Sequence, residues 1–264
     1  MTTIAYQGEP GAFSDDAART LVPGAETRGF PTFDEAAGGL QHGATALALL
    51  PVENSISGSV PRVYDLLWSA PELRIVDEIV YRVVQNLVAL PGATLAGLRE
   101  VRSHPVALEQ CRGFFETHPE LAPRIVADTA GAVREVVAAG DPALGAIASA
   151  LAAERYGAYV LEPAIQDVAD NFTRFFLLAR NPEPRPQPTR ACIALVLENR
   201  PGSLRDALTV FADRGLDLRT LVSRPSLERP FTYRFYCEIA SVSAKDLGAT
   251  LAALHGTARI LGHY

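Results

Sequence analysis

The chain has 264 residues, 48% hydrophobic and 20% charged, with a net charge of −6 at pH 7. That length suits one large domain or two ordinary ones, and the acidic balance excludes a global attraction to nucleic acid or to an anionic membrane. No apolar run approaches the ~20 residues of a membrane span, and the N-terminal MTTIAYQGEP lacks the basic-then-apolar order of a secretion signal.

Along the chain, TIAYQ reads as a buried first strand. A helix follows, with Ser14 as its candidate cap and Asp15 and Asp16 in its first turn. ATALALLPV (44–52) is a second strand, and Ser59-Val60-Pro61 opens a helix with Val60, Val63, Leu66 and Leu67 on one face. The β-branched stretch 73–90 predicts one or two long strands. REVRSHPVALEQC turns from strand to helix at Ser103, and RIVADTAGAVREVV repeats the pattern with Asp128 or Thr129 as cap. ALGAIAS and the helix ALAAERYG come next. Strands alternating with helices predict an α/β fold with a largely parallel sheet.

NPEPRPQPTR (181–190) holds four prolines in ten residues and marks a boundary. Beyond it the order is strand, helix, strand, strand, helix, strand, with Ser203 and Ser243 as candidate caps. That is the ferredoxin-like βαββαβ unit. Cys111, Cys192 and Cys237 are dispersed, and His42, His104, His118, His255 and His263 form no metal-type cluster. Reduced thiols, no metal and no cofactor in a cytoplasmic protein are expected.

Polar loops collect at the strand-to-helix junctions 7–14, 51–59, 103–105 and 128–131. Open α/β sheets bind ligands there, and helix N-termini suit carboxylates. Glu53, Asn54, Ser55, Ser57 and Ser59 crowd into one such loop. NFTRFF (171–176) sets a hydroxyl and a guanidinium among phenylalanines. As a strand it places Thr173 and Phe175 on one face and Arg174 on the other. His104, at a helix start, and the inward Cys111 read as structural.

YQGEPGAFS, LPVENSISGSV, SHPVALEQC, DTAGAV and DNFTRFFLLAR, in that order, resemble the prephenate dehydratase family. The downstream segment is similar to its ACT-type regulatory domain, with RPGSL (200–204) and SRP (223–225) as the two effector motifs. The residue before SRP, often glutamate in the family, is Val222. The resemblance implies a two-lobed catalytic domain like type II periplasmic binding proteins over 1–180. One lobe would be about 1–78 plus 175–180 and the other about 79–174, followed by a linker at 181–189 and the regulatory domain at 190–264. It implies conversion of prephenate to phenylpyruvate for phenylalanine synthesis, with regulation by L-phenylalanine in a homodimer or homotetramer. Thr173 would be the essential hydroxyl, with Arg174 and Phe175 beside it. Asn54, Ser55, Ser57, Gly58, Thr129, Ala130 and Asn171 would contact substrate. Pro201, Gly202, Ser203, Leu204, Ser223, Arg224 and Pro225 would bind the effector. Arogenate as substrate and a non-catalytic amino-acid sensor are the alternatives, and an acid such as Glu53 beside the substrate's side chain would favour arogenate.

Overall fold

The computed structural model describes residues 2–184, 188–226, 230–240, 242–254 and 256–264. The middle of the proline-rich stretch, Arg185, Pro186 and Gln187, and also His255, lie outside the described residues. The chain forms two compact units, one from residues up to Val60 together with Ile79–Phe175, the other from Pro61–Glu78 and Phe176–Tyr264.

The first unit begins with β1 (Thr3–Gln7), α1 (Phe13–Leu21), β2 (Glu26–Phe30), α2 (Phe33–Gln41), β3 (Leu47–Asn54) and the two-residue β4 (Gly58–Ser59). The chain then runs through α3 (Pro61–Ser69) and β5 (Leu73–Arg82). It continues with β6 (Asn86–Ala89), β7 (Glu100–Ser103), α4 (Pro105–Glu109), α5 (Arg112–Thr117), β8 (Ala122–Ile125), α6 (Thr129–Ala139), β9 (Leu144–Ala148), α7 (Ala150–Tyr156), β10 (Tyr159–Glu162) and β11 (Phe172–Arg180).

β1 pairs in parallel with both β2 and β3. α1 joins β1 to β2 on one side, α2 carries the chain from β2 to β3 on the other side of β1, and a crevice opens at the carboxyl ends of β1 and β3. The loops after Gln7 and Asn54 lie at that crevice. A second sheet repeats the arrangement, with β7 parallel to both β8 and β9. Its crevice lies past Ser103 and Ala148, where His104 and Ser149 begin helices. The expectation of a largely parallel sheet needs amending at the rims, because β6–β9, β6–β10 and β3–β4 are antiparallel.

The glycines of QGEPG are demanded by backbone shape and close approach. Gly8 has φ +118° and Gly11 φ +93°, a region that side-chain-bearing residues avoid. A Cβ on Gly11 would meet Ala152 Cα at 2.8 Å, and Ser149 Oγ donates to Gly11 O at 2.6 Å. Ser14 is not the cap of α1. Ala12 holds that position without a side-chain bond, and buried Asp15 reaches back to accept from Gly11 N at 2.9 Å. Ser59 does not open the next helix. It is tied into β4 opposite Glu53, and Pro61, which needs no N–H partner, starts α3. Asp128 caps α6 by accepting from Gly131 N at 2.7 Å.

The second unit carries β12 (Arg190–Val196), α8 (Ser203–Ala212), β13 (Asp217–Pro225), β14 (Tyr233–Ala240), α9 (Ala244–Ala253) and β15 (Thr257–His263). The strands order β13-β14-β12-β15, antiparallel throughout, which is the expected βαββαβ unit. Its core includes Ile193, Leu195, Phe211, Ile239 and Leu247. Ser243 caps α9 by accepting from Asp246 N at 3.1 Å. Ser203 does not cap α8. Gly202 stands at the cap with φ +86°, and Ser203 is the first helical residue.

α3 belongs to this unit through specific contacts. Tyr64 Oη donates to Glu238 at 3.2 Å. Arg224 Nη2 donates to Asp65 at 2.6 Å. Arg259 donates to the carbonyls of Leu67 and Trp68 at the end of the helix, where a cation suits the dipole. Arg234 lies 4.3 Å over the Trp68 ring.

Candidate active site

A cavity of about 270 Å³ in the first unit is lined by Asn54, Ser57, His104, Gln110, Thr129 and Thr173, among others. Its wall is organised by side-chain amides whose polarity the backbone dictates. Asn54 Oδ1 accepts from the N–H groups of Ile56 at 3.0 Å and Ser57 at 2.9 Å. Its Nδ2 must then face the other way, and donates to Asn171 Oδ1 at 2.8 Å and Thr173 Oγ1 at 3.0 Å. Asn171, wholly buried, passes the sense on by donating to Gln110 Oε1 at 2.9 Å. Gln85 Nε2 donates to that same oxygen at 3.0 Å. With its oxygen twice engaged, Gln110 turns its N–H₂ group away from the network. Gln85 Oε1 ends the series without a partner among the described residues.

The loop itself is stapled to β11. Ser55 N donates to Phe172 O at 2.8 Å, and Phe172 N donates to Ser55 Oγ at 2.9 Å. Ser55 thus aligns the loop and the strand that carries Thr173. The hydroxyl of Thr173 accepts from Asn54, so its own proton is left to donate elsewhere.

Of the residues predicted from sequence, Asn54, Ser57, Gly58, Thr129, Thr173 and Phe175 come together around the cavity. Ala130 and Asn171 are buried behind it, and Ser55 acts on the backbone. Arg174 faces elsewhere, as alternation requires, and its Nη2 donates to Glu53 Oε2 at 3.0 Å. Neither Arg174 nor Glu53 lines the cavity. Gln85 and Gln110 were not picked out from sequence. Their signal is weak, since a glutamine between two apolar strands and one at a helix end look like ordinary surface choices. Among the described residues no group of three or more His, Cys, Asp or Glu could hold a metal ion.

His104 does two things. Its Nδ1 accepts from Val106 N at 3.3 Å, capping α4, and the residue also lines the cavity. Burial holds its pKa below the ordinary value, against an opposing pull from Asp128. Cys111 is core: it is fully buried, and burial pushes its thiol up to about 12.

In the second unit the register sets Arg224 opposite Arg234, and Arg234 opposite Val196. The two expected effector motifs therefore follow or end strands at the same end of the sheet. The first is pinned by Arg200 donating to Asp206 at 2.9 Å; hydrogen bonds from Arg205 and Arg200 hold the Asp206 carboxyl below its usual range. The second is engaged through Arg224 and Asp65. Val222 pairs with Tyr236.

An α/β unit with a polar-walled cavity at its strand ends, carried on one chain with a ferredoxin-like unit, defines a small-molecule enzyme with an appended regulatory module as the class. The model of the prephenate dehydratase family matches residues 4–183, and that of the ACT domain matches 193–257. The chain belongs to the prephenate dehydratase family. It is 40% identical over 223 residues to a bifunctional N-acyl-homoserine lactone acylase/prephenate dehydratase of Komagataeibacter europaeus, covering 83% of this chain and 79% of that one. It is 38% identical to the chloroplastic arogenate dehydratase/prephenate dehydratase 1 of Arabidopsis thaliana, covering 99% and 71%. The prephenate dehydratase of Arthrobacter aurescens, solved with L-Phe, superposes with a TM-score of 0.91 at 29% identity, covering 100% of this chain and 89% of that one. No helix among the described residues is long and apolar enough to cross a membrane.

Proposed function

We propose that the chain converts prephenate to phenylpyruvate, with loss of carbon dioxide and water, under control by L-phenylalanine. The observation that carries the reading is the fixed sense of the bond from Asn54 to Thr173. The ring carboxylate leaves as carbon dioxide, and the electron pair of its C–C bond enters the ring. The ring hydroxyl leaves with the C–O pair and ends as water. Aromatisation supplies the drive, so the protein must orient the substrate and stabilise the departing oxygen. Thr173, already accepting from Asn54, donates its hydroxyl hydrogen bond to that oxygen. Threonine is too weak an acid for full transfer near neutrality, so donation is its role and the final proton comes from solvent. Phe175, 2% exposed, keeps the wall dry, which favours loss of a poorly solvated carboxylate. Ser57, Gly58 and the N-terminal N–H groups of α6 at Thr129 and Ala130 hold the substrate's polar groups. Arg174, paired with Glu53, ties the loop to β11 and is not a ligand. That pairing also keeps Glu53 from serving an ammonium group, which favours prephenate over arogenate.

Regulation is assigned to Pro201, Gly202, Ser203, Leu204, Ser223, Arg224 and Pro225. The Arg224–Asp65 pair supports it, because α3, which carries Asp65, follows the Asn54–Ser59 loop directly in the chain. Residues 1–180 are read as the catalytic domain, 181–189 as the linker and 190–264 as the regulatory domain, in a cytoplasmic homodimer or homotetramer. The test is phenylpyruvate formation by the purified chain from prephenate, with arogenate in parallel, and with and without phenylalanine. Prephenate turnover that changes on adding phenylalanine is the expected result. Tight binding of prephenate without turnover would leave the sensor instead.

A further inference from the structure

His104 is the titratable side chain among the residues that line the cavity, and the mechanism above does not use it. Its tautomer is set by the fold. Nδ1 accepts the Val106 N–H, so in the neutral ring the proton must sit on Nε2. Burial favours that neutral ring. Thr129, the first residue of α6, lines the same cavity, and Asp128, the cap of α6, is close enough to act on the His104 charge. Asp128 is the charged group that acts on His104, and its Oδ1 accepts from Gly131 N. A neutral N–H donor therefore lines the same cavity as the first residue of an eleven-residue helix, a combination that suits one carboxylate.

We propose that His104 Nε2–H and the first-turn N–H groups of α6 together seat the carboxylate that the substrate keeps, so that His104 fixes which end of the substrate lies where. The inference rests on the proposed dehydratase reading. It assigns the donor to the retained carboxylate because holding the departing one would slow its loss. A neutral donor also holds that group without adding a cation that would attract the departing carboxylate.

The test separates the cap from the donor. His104→Ser and His104→Thr keep an oxygen that can accept the Val106 N–H but cannot reach into the cavity. His104→Asn keeps both an acceptor and a donor. The probes are phenylpyruvate, which retains the carboxylate, and phenylacetone, which lacks it, each measured as an inhibitor of prephenate turnover. The wild type is expected to prefer phenylpyruvate. His104→Ser and His104→Thr should lose roughly ten- to a hundredfold in phenylpyruvate affinity, with phenylacetone unchanged. His104→Asn should recover much of the loss. Unchanged phenylpyruvate affinity in either cap-competent variant overturns the proposal while leaving the dehydratase reading intact. So does a wild type that binds both probes alike, whether or not the variants fold. A wild type that forms no phenylpyruvate from prephenate overturns both.

Discussion

The wall of the cavity and the effector end of the second unit solve the same problem, holding polar groups in place, with opposite chemistry. Around the cavity the bonds run between neutral amides and a hydroxyl, Asn54 to Asn171 and Thr173, and Asn171 to Gln110. At the effector end they are ion pairs, Arg200–Asp206 and Arg224–Asp65. Neutral amides have a direction that the backbone can impose, and they add no field that would compete for a dianionic substrate. The exposed Arg200–Asp206 pair has little net strength and is weakened by salt, and the half-buried, two-pronged Arg224–Asp65 pair is screened less. On the proposed reading, the difference teaches that the cavity is built to be unique and the end of the second unit with the two expected effector motifs to be switchable.

The sharpest way to break the comparison is to reverse one amide. Asn54→Asp keeps the acceptor for the Ile56 and Ser57 N–H groups but replaces the donor facing Asn171 and Thr173 with a second acceptor. The Thr173 proton would then be drawn to the new carboxylate, and kcat for prephenate should fall about 10²–10³-fold with the fold retained. Next comes Asn171→Leu, which removes the bonds from Asn54 and to Gln110, while Asn54 Nδ2 keeps Phe172 O and Thr173 Oγ1 and Gln110 Oε1 keeps Gln85. It should cost about 0.5–1.5 kcal/mol per lost hydrogen bond, read as a lower denaturation midpoint in urea at unchanged m-value. On the ionic side, Asp65→Asn should leave basal turnover within about twofold but shift the phenylalanine concentration for half effect by roughly 5–50-fold. Glu53→Gln, which breaks a pair whose acidic side chain is 45% exposed, should change stability by less than about 1 kcal/mol and kcat little. A hundredfold loss there would put Arg174 back in the catalytic machinery. The smallest effect concerns pH. The folded pKa of His104 lies below its ordinary value, so the stability it contributes is present above about pH 6.5 and is lost as pH falls. His104→Asn should flatten the acid-side slope of stability, measured by thermal unfolding between about pH 7 and 5.

What was legible in the sequence was whatever is decided locally. Asp128 and Ser243 announce helix starts because a cap bonds within three residues of itself. The alternation Thr173-Arg174-Phe175 sorts faces because a strand has a fixed period. The ENS and NFTRFF segments were visible as polar groups in apolar settings. What stayed hidden depends on distant partners. Ser14, Ser59 and Ser203 look like caps, but buried Asp15, the pairing of Ser59 with Glu53, and the positive φ of Gly202 take those places. Gln85 and Gln110 matter only because Asn171, far along the chain, comes to rest against Gln110. The Glu53–Arg174 pair is equally non-local, and neither of its members lines the cavity.

The claim at the centre is that a directed Thr173 hydroxyl promotes departure of the ring hydroxyl. It is tested most directly by single-turnover conversion of prephenate with Thr173→Ser and Thr173→Val. The account predicts that Thr173→Ser stays within about tenfold of the wild type, while Thr173→Val, equal in shape but without a donor, falls about 10²–10³-fold. Equal losses in the two variants would mean that Thr173 supplies shape alone, and would contradict it.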